Sequence, residues 1–198
     1  MTEASEAEWP GIEGAYREPT RPPSPRKLSE GLTIWLTGLP SAGKTTIALG
    51  VAERLVQHGY RVEVLDGDVF RRSLCDDLGY SASDRNENVR RVGFVAHLLS
   101  RNGIVAVCAL ISPYQAARDE VRALHEGRFF EVHVATPQRV CADRDVKGLY
   151  ARRREGAISN LTGVDDPYEV PEHPDLVVPT ERQTVDESVE SVWSALPR

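Results

Sequence analysis

Apolar residues along this chain gather into five runs of strand length, and the segments between them carry apolar positions at helical spacing. The first run, Leu32-Thr33-Ile34-Trp35-Leu36-Thr37, reads as a buried strand. The second, 61–65, ends at Asp66-Gly67-Asp68, and the third, 104–111, is so continuously apolar that it predicts a central strand. Runs at 129–135 and 176–178 complete the set. The stretch 47–56 is amphipathic, and Val89, Val92, Ala96 and Leu99 share one helix face. Val121 with Leu124 fits a shorter helix, and Thr184 with Glu187 has capping-box spacing before a helix carrying Val189, Val192 and Leu196. Strands alternating with helices predict an α/β fold, a three-layer sandwich on a mainly parallel five-stranded sheet.

Two segments depart from this rhythm. Residues 1–28 are acidic, then rich in Pro and Arg, with too few apolar residues to fold alone, which predicts a mobile tail ahead of one domain at 29–198. Residues 145–172 are a long excursion between the last two strands, opening with Asp145-Val146-Lys147-Gly148-Leu149-Tyr150-Ala151-Arg152-Arg153-Arg154. Such an insertion predicts a basic lid, able to exclude water and present positive charge.

Composition narrows the partners. At 198 residues and a net charge of −6, the chain suits a single domain with no polyanion-binding surface, so no nucleic acid partner is expected. Cys75, Cys108 and Cys141 are odd in number and lack ligand spacing, which fits buried free thiols in a reducing compartment. No run approaches the ~18 apolar residues of a membrane span, and the N-terminus lacks signal-peptide features. A cytoplasmic protein without a membrane partner is the expectation.

The chemistry starts at Gly38-Leu39-Pro40-Ser41-Ala42-Gly43-Lys44-Thr45-Thr46, between the first strand and the first helix. This is the spacing and context of a phosphate-binding P-loop. Its glycines let successive backbone N–H groups face phosphate oxygens, and the helix N-terminus adds partial positive charge. Lys44 would reach the β- and γ-phosphates, and Thr45 would complete the shell of the Mg²⁺ that arrives with ATP, with Asp66 a second candidate ligand. The Asn-Lys-x-Asp motif of GTPases is absent. Asp76-Asp77-Leu78-Gly79 supplies an Asp-x-x-Gly only on a stretch read as helical, away from a strand end.

A kinase needs an acceptor pocket instead, and its parts are present. Asp66 and Asp68 stand at the carboxyl end of a strand, where open α/β sheets place their sites. Arg71, Arg85, Asn88 and Arg91 follow closely, Arg85 and Asn88 on one helix face, and guanidinium forks suit phosphate or sulfate oxygens. The five histidines form no metal-ligand pattern.

In these blocks the sequence resembles the adenylylsulfate kinase (APS kinase) family. The matching segments include Leu65-Asp66-Gly67-Asp68, Asp84-Arg85-Asn86-Glu87-Asn88-Val89-Arg90-Arg91, Ile111-Ser112-Pro113-Tyr114, Arg144-Asp145-Val146-Lys147-Gly148-Leu149-Tyr150 and 161–169. The resemblance implies transfer of the ATP γ-phosphoryl group to the ribose 3′-hydroxyl of adenosine 5′-phosphosulfate (APS), giving PAPS, by a homodimer. It implies that Asp68 accepts or orients the 3′-hydroxyl proton, with Asp66 beside it. Arg71, Arg85, Asn88 and Arg91 would hold the acceptor together with Ile111, Ser112, Lys147, Leu149 and Thr162, and Arg144 would bind ATP. Ser112 is described in the family as a phosphoserine intermediate; a binding role is preferred here, because direct in-line transfer needs no covalent stop. Two positions differ: Tyr80 stands for the family's Phe in a Leu-Gly-Phe-Ser segment, and Leu161 replaces Phe before Thr162-Gly163. The adenine would thus sit between an aromatic and an aliphatic plate, with somewhat weaker APS binding. A kinase of another small nucleotide, such as a cytidine diphosphate derivative, and a non-catalytic nucleotide-binding module are the alternatives; intact Lys44, Thr45, Asp68 and Arg85 weigh against the second.

Overall fold

The computed structural model describes residues 30–198, so the expected tail at 1–28 lies outside the described residues. Five parallel strands form one sheet in the order β2-β3-β1-β4-β5, with β1 at Leu32–Thr37, β2 at Val62–Asp66, β3 at Val105–Ala109, β4 at Phe129–Val134 and β5 at Leu176–Val178. All six residues of β1 are buried, because the strand is central and covered on both faces. On one face Leu32, Ile34 and Leu36 meet Ile47, Ala48, Val51 and Leu55 of α1 (Lys44–Gln57) and Val192 of α7 (Val185–Ala195). On the other, Trp35 meets Val89, Val92 and Ala96 of α3 (Ala82–Arg101) and Val121 of α4 (Gln115–Leu124). Those two clusters are the two interlayer cores of a three-layer sandwich. Cys75, Cys108 and Cys141 are free and buried.

The capping box at Thr184 and Glu187 starts α7, and a second, Ser81 with Asp84, starts α3. The third strand is shorter than its apolar run: after Ala109 the chain leaves the sheet and turns at Ser112, whose φ is 39°. A short helix α2, Gly67–Arg71, follows β2 directly. Residues 72–77 are turns rather than helix, and Asp77 is an ion-pair partner of Arg91. The excursion at 145–172 follows α5 (Gln138–Arg144) and carries α6 (Leu149–Arg154), whose Arg153 pairs with Asp165. Because β1 lies between β3 and β4, the chain crosses sides there, and the crevice beyond its carboxyl end is where a ligand belongs.

Candidate active site

The loop leaving β1 is built by local backbone chemistry. Gly38 has φ 154°, and a Cβ there would lie 2.7 Å from the Val134 carbonyl of the adjacent strand. Gly43 has φ 103° and stands at the start of α1, where no side chain caps the helix. The first-turn N–H groups of α1 therefore remain for an anion. Lys44 folds back over the loop, its Nζ donating to the carbonyls of Gly38 (3.0 Å) and Leu39 (2.7 Å). Burial, and then the nearby Lys147, bring its pKa down to about 8.

The two aspartates beyond β2 divide their work. Asp66 accepts from the Thr45 hydroxyl at 2.8 Å and from the Asp68 backbone N–H at 2.9 Å, which caps α2. Asp68, in the first turn of α2, pairs with Lys147 of the 145–172 excursion. Lys147 is delivered by Asp145, which ends α5 with φ 25° and accepts from the N–H groups of Tyr150 and Ala151 at the start of α6. One cleft of about 930 Å³ runs from residues 40–47 past Asp66, Asp68 and Lys147 to Arg71, Tyr80, Arg85, Asn88, Ile111 and Ser112. Leu149 and Arg144 line it too, the latter near the P-loop.

At the far end, Arg85 and Asn88 are buried neighbours on α3, and the Asn88 side-chain oxygen has no hydrogen-bond partner. Arg85 is a tether: it donates to Tyr80 O (3.0 Å), to Thr162 Oγ1 (2.7 Å) and to the Asn160 carbonyl, and pairs with Asp166 at 3.1 Å. Arg71 donates to the Leu78 and Gly79 carbonyls and stacks 5.0 Å from the Tyr80 ring. Ser112 is 2 % exposed; its hydroxyl accepts from the Trp35 indole at 3.1 Å, and its carbonyl from Arg118 at 2.7 Å.

Set against known proteins, residues 30–179 match the sequence model of the adenylylsulphate kinases. The chain belongs to the adenylylsulphate kinase family. It is 53% identical over 166 residues to a probable adenylyl-sulfate kinase of Synechocystis, covering 84% of this chain and 93% of that one. It is 51% identical over 167 residues to the adenylyl-sulfate kinase of Rippkaea orientalis, with 84% and 92% covered. Among solved structures, the Mycobacterium tuberculosis APS kinase in complex with AMPPNP and APS superimposes with a TM-score of 0.80 at 42% identity, over 83% of this chain and 96% of that chain. A gluconokinase from Sinorhizobium meliloti, at 18% identity and a TM-score of 0.56, shares the fold alone.

In this member of the family not every expected site residue reaches the cleft. Arg91 does not line it: the guanidinium is held by Asp77 (2.6 and 2.9 Å), Glu87 (2.9 Å) and the Leu74 carbonyl (3.0 Å), pinning the 72–77 turns to α3. Leu161 is 6% exposed, belongs to the main core cluster and does not line the cleft, whereas Tyr80 lines it and is 63% exposed. Thr162 serves Arg85 rather than lining the cleft, and Leu39 lies against Gly163 in a separate cavity of about 550 Å³. Gly38 acts through its backbone, outside the cleft lining. Sequence reasoning passed over Gln183, Thr184, Val185 and Ser188, which line the nucleotide end. Their signal was the capping box itself, which marks a second helix start beyond the carboxyl end of a strand.

Proposed function

We propose that this chain transfers the γ-phosphoryl group of ATP to the 3′-hydroxyl of adenosine 5′-phosphosulfate, giving PAPS and ADP. The supporting observation is a single cleft in which the P-loop Lys44 and the acidic Asp68 face the same space, with Arg85 and the unpartnered Asn88 oxygen beyond them. The N–H groups of residues 43–46 and the Lys44 ammonium would hold the triphosphate, and Arg144 lies on that side. Thr45 and Asp66, whose oxygens are 2.8 Å apart, form a hard donor pair suited to magnesium. They would hold that ion as it arrives with ATP, and it would supply charge neutralisation at the phosphate oxygens.

Asp68 would accept or orient the 3′-hydroxyl proton as the sugar oxygen bonds to the γ-phosphorus and the bond to the ADP oxygen breaks. To do so it must exchange its Lys147 partner for the hydroxyl, which frees the lysine for the acceptor's anionic groups. Arg71, Asn88, Ile111, Ser112 and Leu149 would bound the acceptor, with Tyr80 offering a stacking face. Ser112 is assigned to binding: its hydroxyl is engaged by Trp35, a donor that cannot act as a base. Assembly as a dimer is part of the proposal; a Thiobacillus denitrificans APS kinase that matches at 37% identity is described as hexameric.

Two measurements test this reading. ADP release from ATP should depend on APS and stay at the buffer level with AMP or CDP. Asp68→Asn should lower turnover by roughly 10²–10⁴-fold while ATP affinity changes less than about threefold. Equal release with CDP, or full turnover by Asp68→Asn, would overturn it.

A further inference from the structure

The Ala42 carbonyl, in the peptide that joins it to Gly43, has three donor groups from outside the P-loop within reach: Thr136 Oγ1 at 2.9 Å, Thr180 Oγ1 at 3.3 Å and Arg144 Nη1 at 3.3 Å. Thr136 follows β4 and Thr180 follows β5, 6% and 7% exposed, and their hydroxyls hydrogen-bond to each other. Arg144 also donates to Thr180 Oγ1 at 3.1 Å and to its carbonyl at 2.9 Å. A hydroxyl has one proton, so the shortest approach to Ala42 fixes the order. Thr136 gives its proton to Ala42, receives that of Thr180, and Thr180 is served by the arginine. This chain runs one way and has a cation at its head, an arrangement in which each bond strengthens the next.

We infer that Thr136 and Thr180 are positioning residues that aim the Ala42–Gly43 peptide for phosphate binding. The peptide is planar and trans, so its carbonyl and N–H point in opposite directions. Holding the Ala42 oxygen on the Thr136 side turns the Gly43 N–H away from that side, and Gly43 lines the cleft. Gly43, at φ 103°, is the joint about which that peptide would otherwise swing. The tips of β4 and β5 thus set the donor geometry of a loop that leaves β1. The inference rests on the loop's binding a triphosphate, not on the identity of the acceptor.

Thr136→Val keeps the side-chain shape and removes the first link. It should raise the dissociation constants of ATP and of inorganic tripolyphosphate by a similar factor, roughly tenfold where the misaimed Gly43 N–H loses its charge-assisted hydrogen bond to a phosphate oxygen. APS binding measured without ATP should change less than about twofold, and Thr136→Ser should restore tripolyphosphate affinity. Tripolyphosphate has no base or sugar, so weaker binding of it separates phosphate aim from damage to the adenine end. If Thr136→Val does not fold, Thr180→Val breaks the relay one link earlier and is measured identically. Unchanged tripolyphosphate affinity in the folded variant, an equal weakening of APS binding, or failure of the serine to rescue would each overturn the inference. The proposed reaction would instead fail by acceptor-independent ADP release, with these affinities unaffected.

Discussion

Lys44 holds its ammonium in a partly buried site, where desolvation and then the nearby Lys147 bring its pKa down to about 8. A triphosphate reverses that balance and returns the pKa upward. ATP binding should then take up a proton between about pH 8 and pH 10, seen as a buffer-dependent heat in calorimetry at pH 9 and absent in Lys44→Met. Equal heats in buffers of different ionisation enthalpy would contradict this. A second residue-scale outcome concerns Ser112. With Trp35 as its side-chain partner, Ser112→Ala should keep turnover within roughly tenfold of the parent. Stability should fall by about 1–3 kcal/mol, because the buried indole N–H loses its acceptor. Near-complete loss of turnover with intact APS binding would restore the phosphoserine role.

At the scale of elements, two arginines on α3 look alike in sequence and serve different parts of the molecule. Arg85 joins α3 to the 160–166 segment through Asn160, Thr162 and Asp166, so it ties that segment to the acceptor end of the cleft, which Arg85 itself lines. Arg91 joins α3 to the turns after α2. Arg85→Ala should therefore raise the APS KM by roughly tenfold or more and open 155–166 to limited proteolysis. Arg91→Ala should leave both KM values within about twofold and lower the melting midpoint. Steady-state kinetics on the pair decides it: equal KM effects would mean that Arg91 also reaches substrate.

For the molecule as a whole, acid sensitivity should come from His125. The residue is fully buried against Phe129 and His97, with Nδ1 hydrogen-bonded to the Val121 carbonyl at 2.6 Å, and burial brings its pKa down to about 4. The unfolded chain binds this proton near the ordinary pKa of 6.5, so its contribution is complete above 6.5 and is lost as pH falls toward 4. Across that window the loss is on the order of 3 kcal/mol. Chemical denaturation of His125→Phe against the parent at pH 7 and pH 4.5 should show a shallower acid decline in the variant. A parallel decline would place the acid-labile group elsewhere.

The sequence determined what depends on local order. Apolar runs fixed the strands, the glycine spacing fixed the phosphate loop, and the capping box at Thr184 fixed where α7 begins, because each uses groups a few residues apart. It also put Arg85 and Asn88 on one face, since three residues is nearly a helical turn. The folded chain decided which of several plausible side chains would face the cleft. Arg91 and Arg85 have the same chemistry, yet Asp77 and Glu87 lie beside one and the 160–166 segment beside the other. Leu161 was absorbed by the core, and Lys147 was brought 79 positions along the chain to Asp68. Thr136 and Thr180, ordinary residues in sequence, meet behind Ala42 only because β4 and β5 are neighbours in the sheet. Contacts across such separations follow from strand order and packing, which no local pattern encodes.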